Sequence, residues 1–291
     1  MQKVTLQTLF QLKEKQEKIA ALTAYDALFA KLMSQLGIEL IIVGNSLGVT
    51  VLGYETVYSV TLDHMIYHTQ ACNRLKPSAF IVTDMPFQTY PTKEEAVKNA
   101  AKLIQAGCEM VKLEGGAFLA ETIHFLTERG IPVCSLLGLM PQYAHAFGGY
   151  RLDTKKKLEL EEKLIHDSKV LEEAGANLLV LHCVTTEVAQ KISKSLTIPV
   201  IGIGSGPFLD GQVQILHDLL GFSDGFSSFL SDRYVVADKN TKQVRYTRDF
   251  LSGQTEGLKG AIKNYVQAVK QGQFPKEAES FQYPLASSYP Q

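Results

Sequence analysis

The stretch Met110-Val111-Lys112-Leu113-Glu114-Gly115-Gly116 carries the pattern that decides the fold of this 291-residue chain. Its apolar part, Met110–Leu113, is typical of a parallel strand buried on both faces, and a carboxylate and two glycines follow it. The segment before it begins at Thr92 with an N-cap residue and early acids, and Gly107 ends it. We interpret this part of the chain as a helix followed by a buried strand of a parallel sheet.

The same alternation recurs on both sides of this stretch. Further apolar runs, each separated from the next by a helix-like segment, are Ile19–Tyr25, Leu40–Val43, Ala79–Thr83, Ile131–Leu137, Asn177–Leu181 and Ile198–Ile203. Seven such units favour a closed (β/α)8 TIM barrel over a doubly wound open sheet, because no GxGxxG motif opens the first helix. We place the weak eighth strand within Gly225–Phe229 and interpret Asp210–Leu220 as the helix that follows strand seven.

The whole chain, residues 1–291, is predicted to be one barrel domain. A helix within residues 1–17 has an apolar stripe that would close the bottom of the barrel. Residues 227–250 are interpreted as a divergent insertion or hairpin. Residues 251–291 are expected to hold a C-terminal helix, over Gly257–Val269, and a tail.

Composition and charge favour a small-molecule partner. A net charge of −1 supplies no long-range field for nucleic acid or anionic lipid, and 45% hydrophobic residues suffice for a large core. The N-terminus has no apolar signal-peptide core, and no apolar stretch is long enough to span a membrane. The four cysteines form no CxxC pair, which indicates reduced, buried thiols. We therefore expect a cytoplasmic protein.

Polar residues stand at the predicted strand ends, where barrel enzymes place their reactive groups. Asp84 and Glu114 each follow an apolar run, so they are expected either to form salt bridges or helix caps or to share a divalent cation such as Mg²⁺. Lys112 lies two residues before Glu114, on the same side of the strand, and would pair with it or hold an anionic substrate. His182 ends strand six as a structural residue or a proton acceptor.

Several ordered segments carry a resemblance to the ketopantoate hydroxymethyltransferase family. They are Leu22–Asp26, Val43–Gly48, Val51–Tyr54, Thr61–Thr69, Asp84–Phe87, Val111–Gly116, Leu137–Gln142, Phe147–Tyr150, Ile198–Gly204, Asp210–Gln212 and His217–Asp218. The resemblance implies a barrel related to the phosphoenolpyruvate mutase and isocitrate lyase group. It implies bound Mg²⁺ and a large homo-oligomer, a decamer.

The resemblance also implies a reaction of pantothenate biosynthesis. A hydroxymethyl group would pass from 5,10-methylenetetrahydrofolate to 3-methyl-2-oxobutanoate, through a metal-stabilised enolate, to give 2-dehydropantoate. Carried over by position, Asp84 would bind metal and substrate, Lys112 and Ser46 would bind the keto acid, and Glu114 would complete the metal environment.

Three positions depart from the family's pattern. Asn45 stands where a metal-binding Asp is usual; it keeps an oxygen for metal and substrate but removes a negative charge, so Mg²⁺ should bind weakly. Leu136 replaces a His, and His182 replaces the Glu that accepts the substrate proton. These changes leave two alternatives open: a paralogue that lost the reaction and serves as a binding or assembly protein, or another 2-oxo-acid enolate enzyme, a carbon–carbon lyase or mutase.

Overall fold

A computed structural model describes residues 2–146, 157–222 and 246–281. Eight parallel strands close into a barrel in chain order, and β8 pairs with β1. The strands are β1 (Ile19–Thr23), β2 (Leu40–Val43), β3 (Phe80–Asp84), β4 (Met110–Glu114), β5 (Val133–Gly138), β6 (Leu178–His182), β7 (Val200–Ile203) and β8 (Gly211–Gln214). The predicted (β/α)8 barrel is therefore confirmed.

Helices surround the barrel and connect its strands. Within the described ranges they are α1 (Leu6–Glu14), α2 (Ala27–Gln35), α3 (Leu47–Thr50), α4 (Leu62–Asn73), α5 (Lys93–Ala106), α6 (Ala120–Thr127), α7 (Lys157–Glu173), α8 (Thr186–Ser195), α9 (Leu216–Leu219) and α10 (Gly257–Lys270). Helix α5 begins and ends as predicted: the Thr92 hydroxyl accepts a hydrogen bond from the Glu95 amide, and Gly107 adopts a left-handed φ of 112°.

The position of the eighth strand corrects the sequence interpretation. The strand that closes the barrel is β8, and it lies inside the segment that we had interpreted as a helix, of which only α9 is helical. The side chains of Gln212 and Gln214 are buried and donate hydrogen bonds to the backbone carbonyls of Gly206 and Arg248. A strand with glutamines in those places has no apolar run, so the pattern that identified the other seven could not find it. Gly225–Phe229 lies outside the described residues.

Alternating side chains divide the strands between two cores. One set packs outward against the helices, and the other fills the barrel interior. Helix α1 closes the bottom of that interior: Leu9 is fully buried and belongs to the same cluster as Ile19, Leu40 and Phe80. The bottom is therefore sealed by apolar contacts, as predicted, and the opposite end is left for polar residues.

The sequence analysis also made predictions about membrane spans, cysteines and domain organisation. No helix among the described residues has the length and apolar character needed to cross a membrane. All four cysteines are buried and unbridged. Most of residues 227–250 lies outside the described ranges, and the single-domain organisation stays a prediction.

Candidate active site

A pocket opens at the carboxyl ends of the strands, and every residue that the sequence singled out lines it. Its lining includes Asn45, Ser46, Asp84, Lys112, Glu114, Leu136 and His182, and its empty space, including the open mouth, is about 950 Å³. Asp84 and His182 end their strands, and Lys112 and Glu114 share the interior face of β4. The sequence thus placed these residues correctly, while their chemical roles stay predictions.

Glu114 is the centre of a buried hydrogen-bond network. Its Oε1 accepts bonds from Asn45 Nδ2 at 2.8 Å and from Gln142 Nε2 at 3.2 Å, and its Oε2 accepts one from the Gln142 amide at 2.9 Å. The Tyr90 hydroxyl donates to Gln142 Oε1 at 2.8 Å. Burial raises the pKa of Glu114, although Lys112 and the bonds from Gln142 and Asn45 oppose that rise.

Asp84 and Lys112 form a second buried pair. Lys112 Nζ lies 3.0 Å from Asp84 Oδ1, and Asp84 Oδ2 accepts a hydrogen bond from the Asn45 amide at 2.9 Å. Burial alone would lower the pKa of Lys112, but the carboxylates of Asp84 and Glu114 hold it above its usual value. The pocket therefore keeps a permanent cation beside its two carboxyl groups, which suits it to an anionic ligand.

His182 lies on another part of the pocket wall, at the end of β6. Burial lowers the pKa of His182 from its ordinary 6.5 to about 4; the hydrogen bond with the Leu139 backbone opposes this and the charge of Lys112 adds to it. The imidazole is therefore neutral near pH 7 and can accept a proton. Its Nε2 faces the hydroxyl of Tyr246 at 3.5 Å.

Ser46 sits in the loop between β2 and α3, close to the carboxylates. Its hydroxyl lies 2.9 Å from the Tyr25 hydroxyl. Gly44 leaves room for this hydroxyl, because a Cβ there would lie only 3.0 Å from Ser46 Oγ. The hydroxyl pair is thus held at the same side of the pocket as the carboxylates.

A cation site at the mouth can be tested against these contacts. Asp84 Oδ1 makes no hydrogen bond of good geometry but lies 3.0 Å from Lys112 Nζ, so a cation would share this carboxylate oxygen with the ammonium group. The Asn45 side-chain nitrogen points to Glu114, so the Asn45 side-chain oxygen is available as a second metal ligand. Among the described residues no group of three or more His, Cys, Asp or Glu could hold a metal ion. The donors fit a hard cation that takes few protein ligands, such as Mg²⁺, and predict weak binding.

Sequence reasoning missed three residues that shape the pocket. Gln142 was quoted within a family-like segment but given no role, although its side chain bonds Glu114 and the Met85 carbonyl. Asp218 lines the pocket from α9, which we had not expected at the mouth. Tyr246 comes from the segment that we had interpreted as a hairpin, and only the tertiary structure brings it to His182.

Comparisons with known proteins give sequence matches over nearly the whole chain. A family model described as "Ketopantoate hydroxymethyltransferase" matches residues 3–277. A 3-methyl-2-oxobutanoate hydroxymethyltransferase 2 from Hahella chejuensis is 44% identical over 96% of this chain and 98% of its own length. A 3-methyl-2-oxobutanoate hydroxymethyltransferase from Pseudoalteromonas atlantica is 43% identical over 97% and 99%.

Solved structures with much lower identity share the fold. A phosphonopyruvate hydrolase superposes with a TM-score of 0.57 at 14% identity, covering 80% of this chain and 88% of its own. A phosphoenolpyruvate phosphomutase from Streptomyces platensis subsp. rosaceus gives a TM-score of 0.55 at 13% identity, covering 77% and 88%. At such identities the likeness concerns the barrel alone.

Proposed function

Because the chain belongs to the ketopantoate hydroxymethyltransferase family, we propose that it acts in pantothenate biosynthesis. It transfers a hydroxymethyl group from 5,10-methylenetetrahydrofolate to 3-methyl-2-oxobutanoate, giving 2-dehydropantoate. The observation that carries this proposal is the convergence of Asn45, Asp84, Lys112, Glu114 and His182 on one pocket. A fixed cation, two carboxyl groups and a neutral base are the groups that enolisation of a 2-oxo acid requires.

The keto acid would bind between Lys112 and the Ser46 hydroxyl. Lys112 would hold the negative charge of the substrate and the charge that develops on its keto oxygen. The apolar part of the lining, which includes Leu136, Val180 and Ile203, offers a surface for the substrate's methyl groups. The polar and apolar ends of the substrate would thus contact different walls of the pocket.

Mg²⁺ would be held by Asp84 and the side-chain oxygen of Asn45, with Glu114 beside them. A bound cation supplies Lewis-acid polarisation of the keto group. Asn45 has no charge, so binding is expected to be weak. Glu114 orients the Asn45 amide through their 2.8 Å hydrogen bond and so fixes the direction of its carbonyl oxygen.

His182 would accept the proton from C3 of the keto acid. Its lone pair takes the proton, and the C–H electrons move to the keto oxygen beside Lys112. One water adds to the methylene carbon of the folate, and cleavage of the two C–N bonds releases formaldehyde and tetrahydrofolate. The enolate carbon then adds to the carbonyl carbon of formaldehyde, and the alkoxide takes the proton from His182 to give the hydroxymethyl group. Because burial lowers the pKa of His182 to about 4, the residue is a weak base and this step is expected to be slow.

Enolisation can be tested without the folate. Purified protein is incubated with 3-methyl-2-oxobutanoate and Mg²⁺ in D₂O, and the C3 proton signal is followed by NMR. The signal should disappear with the parent chain and persist with His182→Gln. His124→Gln makes the same change on an exposed face of α6 and should exchange as the parent does.

Three outcomes of that experiment would contradict the proposal. Equal exchange by the parent and His182→Gln would place the base elsewhere. Absence of exchange by the parent, together with binding of the keto acid in calorimetry, would favour the binding or assembly protein. Conversion of the keto acid to a product of cleavage or rearrangement would favour a lyase or mutase.

We also propose that the chain assembles into a homo-oligomer, a decamer, as the family resemblance implies. Size-exclusion chromatography with light scattering would then give ten times the chain mass of 32.1 kDa. A mass of one chain at micromolar concentration would contradict this.

A further inference from the structure

Tyr246 is a buried residue of the pocket wall that the proposed reaction does not use. It is 7% exposed and packs with Leu139 and Cys183 in a small apolar cluster at the mouth. Its ring also lines the pocket together with His182. Burial raises the pKa of the Cys183 thiol and a hydrogen bond with the Tyr246 side chain opposes that rise, so the Tyr246 hydroxyl contacts Cys183 and also faces His182.

The geometry between Tyr246 and His182 is specific. The Tyr246 hydroxyl lies 3.5 Å from His182 Nε2, at the long end of the hydrogen-bonding range. The two rings are edge to face, with centroids 5.8 Å apart and an interplanar angle of 85°.

The backbone around this pair leaves room for the Tyr246 ring and holds the turn after His182. Gly204 has a φ of +65°, and a Cβ there would lie 2.8 Å from both Cβ and Cγ of Tyr246, so only glycine leaves room for the ring. Cys183, next to His182, has a φ of +52°, which is uncommon for a side-chain-bearing residue. Ser205 Oγ lies 2.8 Å from the Leu181 carbonyl and 3.1 Å from the Val184 amide, and so fixes both sides of the strained turn.

We propose that Tyr246 is a positioning residue for His182: its hydroxyl donates to Nε2 of the neutral imidazole and fixes the orientation of the ring toward the pocket. This inference rests on the proposed function of His182 as the base. When the substrate proton approaches, the hydroxyl releases Nε2, and no bond to Tyr246 is made or broken in the reaction. The residue therefore affects the rate of proton abstraction and not the binding of the keto acid.

Other charged groups also act on His182 and must stay constant in the test. Lys112 faces it from β4, and its charge lowers the pKa of His182. Asp84, Glu114 and Asp218 line the same pocket. None of them is changed by a substitution at Tyr246 or Gly204.

The first readout does not depend on activity. Deuterium exchange at C2 of each histidine ring, measured by mass spectrometry of peptides across a range of pH, reports the titration midpoint of His182. Tyr246→Phe keeps the ring but removes the donor that stabilises the neutral imidazole, so the midpoint should move to higher pH. Gly204→Ala displaces the ring itself and should shift it in the same direction.

Two control variants separate this effect from general disturbance. Tyr67→Phe removes a hydroxyl from an exposed ring on α4. Gly253→Ala introduces a Cβ at a φ of +78° with nothing within 4 Å, so it repeats the backbone strain of Gly204→Ala without the clash. Both controls should leave the His182 midpoint unchanged.

The second readout is the exchange of the C3 proton of 3-methyl-2-oxobutanoate. Because the Tyr246 hydroxyl occupies the Nε2 lone pair that takes the C3 proton, Tyr246→Phe should raise the rate at saturating keto acid by about two- to tenfold as the imidazole becomes more basic, with an unchanged half-saturating concentration. An unchanged His182 midpoint in both Tyr246→Phe and Gly204→Ala would overturn the inference. If the titration midpoint of His182 shifts in the variants while the parent shows no C3 exchange, the Tyr246–His182 hydrogen bond is supported and the proposed function fails.

Discussion

At the scale of single residues, Asn45 orders the carboxyl groups of the proposed cation site but adds no negative charge to it. Its amide donates to Glu114 at 2.8 Å and its backbone N–H donates to Asp84 at 2.9 Å, so it ties the two carboxyl groups together. An aspartate there would supply charge to a metal but would lose the bond to Glu114 and add a like charge beside it. The residue thus favours a site that is well ordered without a cation and weak in binding one.

A negative charge at residue 45 should strengthen the binding of Mg²⁺. Asn45→Asp should tighten Mg²⁺ binding by at least about tenfold in calorimetry, because a unit charge about 4 Å away at an effective dielectric constant near 20 exceeds the 1.4 kcal/mol that corresponds to tenfold. Asn264→Asp, on an exposed face of α10, should leave the affinity unchanged. An unchanged or weaker affinity of Asn45→Asp would show that residue 45 is not a ligand position.

The pH dependence of exchange follows from the state of His182. Only the neutral imidazole can accept a proton, and the pKa of His182 is lowered to about 4. The C3 exchange rate of the parent should therefore rise as the pH increases through about 4 and show no further rise at 6.5. A rise centred at 6.5, the ordinary value for histidine, would show that His182 is solvated or is not the base.

His182→Glu recreates the side chain that the family resemblance places at this position. With Mg²⁺ bound, it should retain or increase C3 exchange relative to the parent, because a carboxylate there would again face Lys112 and serve as a base. The comparison is made at saturating keto acid, with His182→Gln as the inactive reference. Exchange by His182→Glu as slow as that of His182→Gln would argue against proton transfer at this position.

At the scale of elements, α1 has a structural task. Leu9 is fully buried against the interior of the barrel, far from the polar mouth. Leu9→Ala should lower the free energy of unfolding by about 2–5 kcal/mol, through lost transfer energy and a residual cavity. Leu28→Ala, whose side chain is 76% exposed on α2, is the matched control and should change it little. Similar denaturation midpoints for both variants would show that α1 does not seal the barrel.

Some secondary-structure elements could be predicted from the sequence and others could not. Seven strands could be predicted because each carries a continuous apolar run, and α5 because its caps are local. β8 could not, since its buried glutamines interrupt the apolar run, and the Arg248 carbonyl that accepts from Gln214 lies 34 positions away in the sequence. The place of Tyr246 in the pocket could not be predicted either, because its contact with His182 joins residues 64 positions apart.

At the scale of the whole molecule, the barrel separates stability from chemistry. Apolar side chains fill the bottom and middle of the interior, and the charged residues that line the pocket lie at the carboxyl ends of the strands. Since each strand contributes one or two residues to the mouth, substitutions at positions such as 45, 136 and 182 can change the pocket without changing the fold. The departures from the family's pattern that the resemblance implies at Asn45, Leu136 and His182 are therefore compatible with an intact barrel.

Hydroxymethyl transfer by this pocket is tested most directly by product formation. Purified protein receives 3-methyl-2-oxobutanoate, Mg²⁺ and 5,10-methylenetetrahydrofolate carrying ¹³C in the methylene group, and products are analysed by mass spectrometry. We expect the parent chain to form 2-dehydropantoate that contains the label and His182→Gln to form none. Absence of labelled 2-dehydropantoate from the parent chain at saturating substrates would show that the pocket does not carry out the transfer.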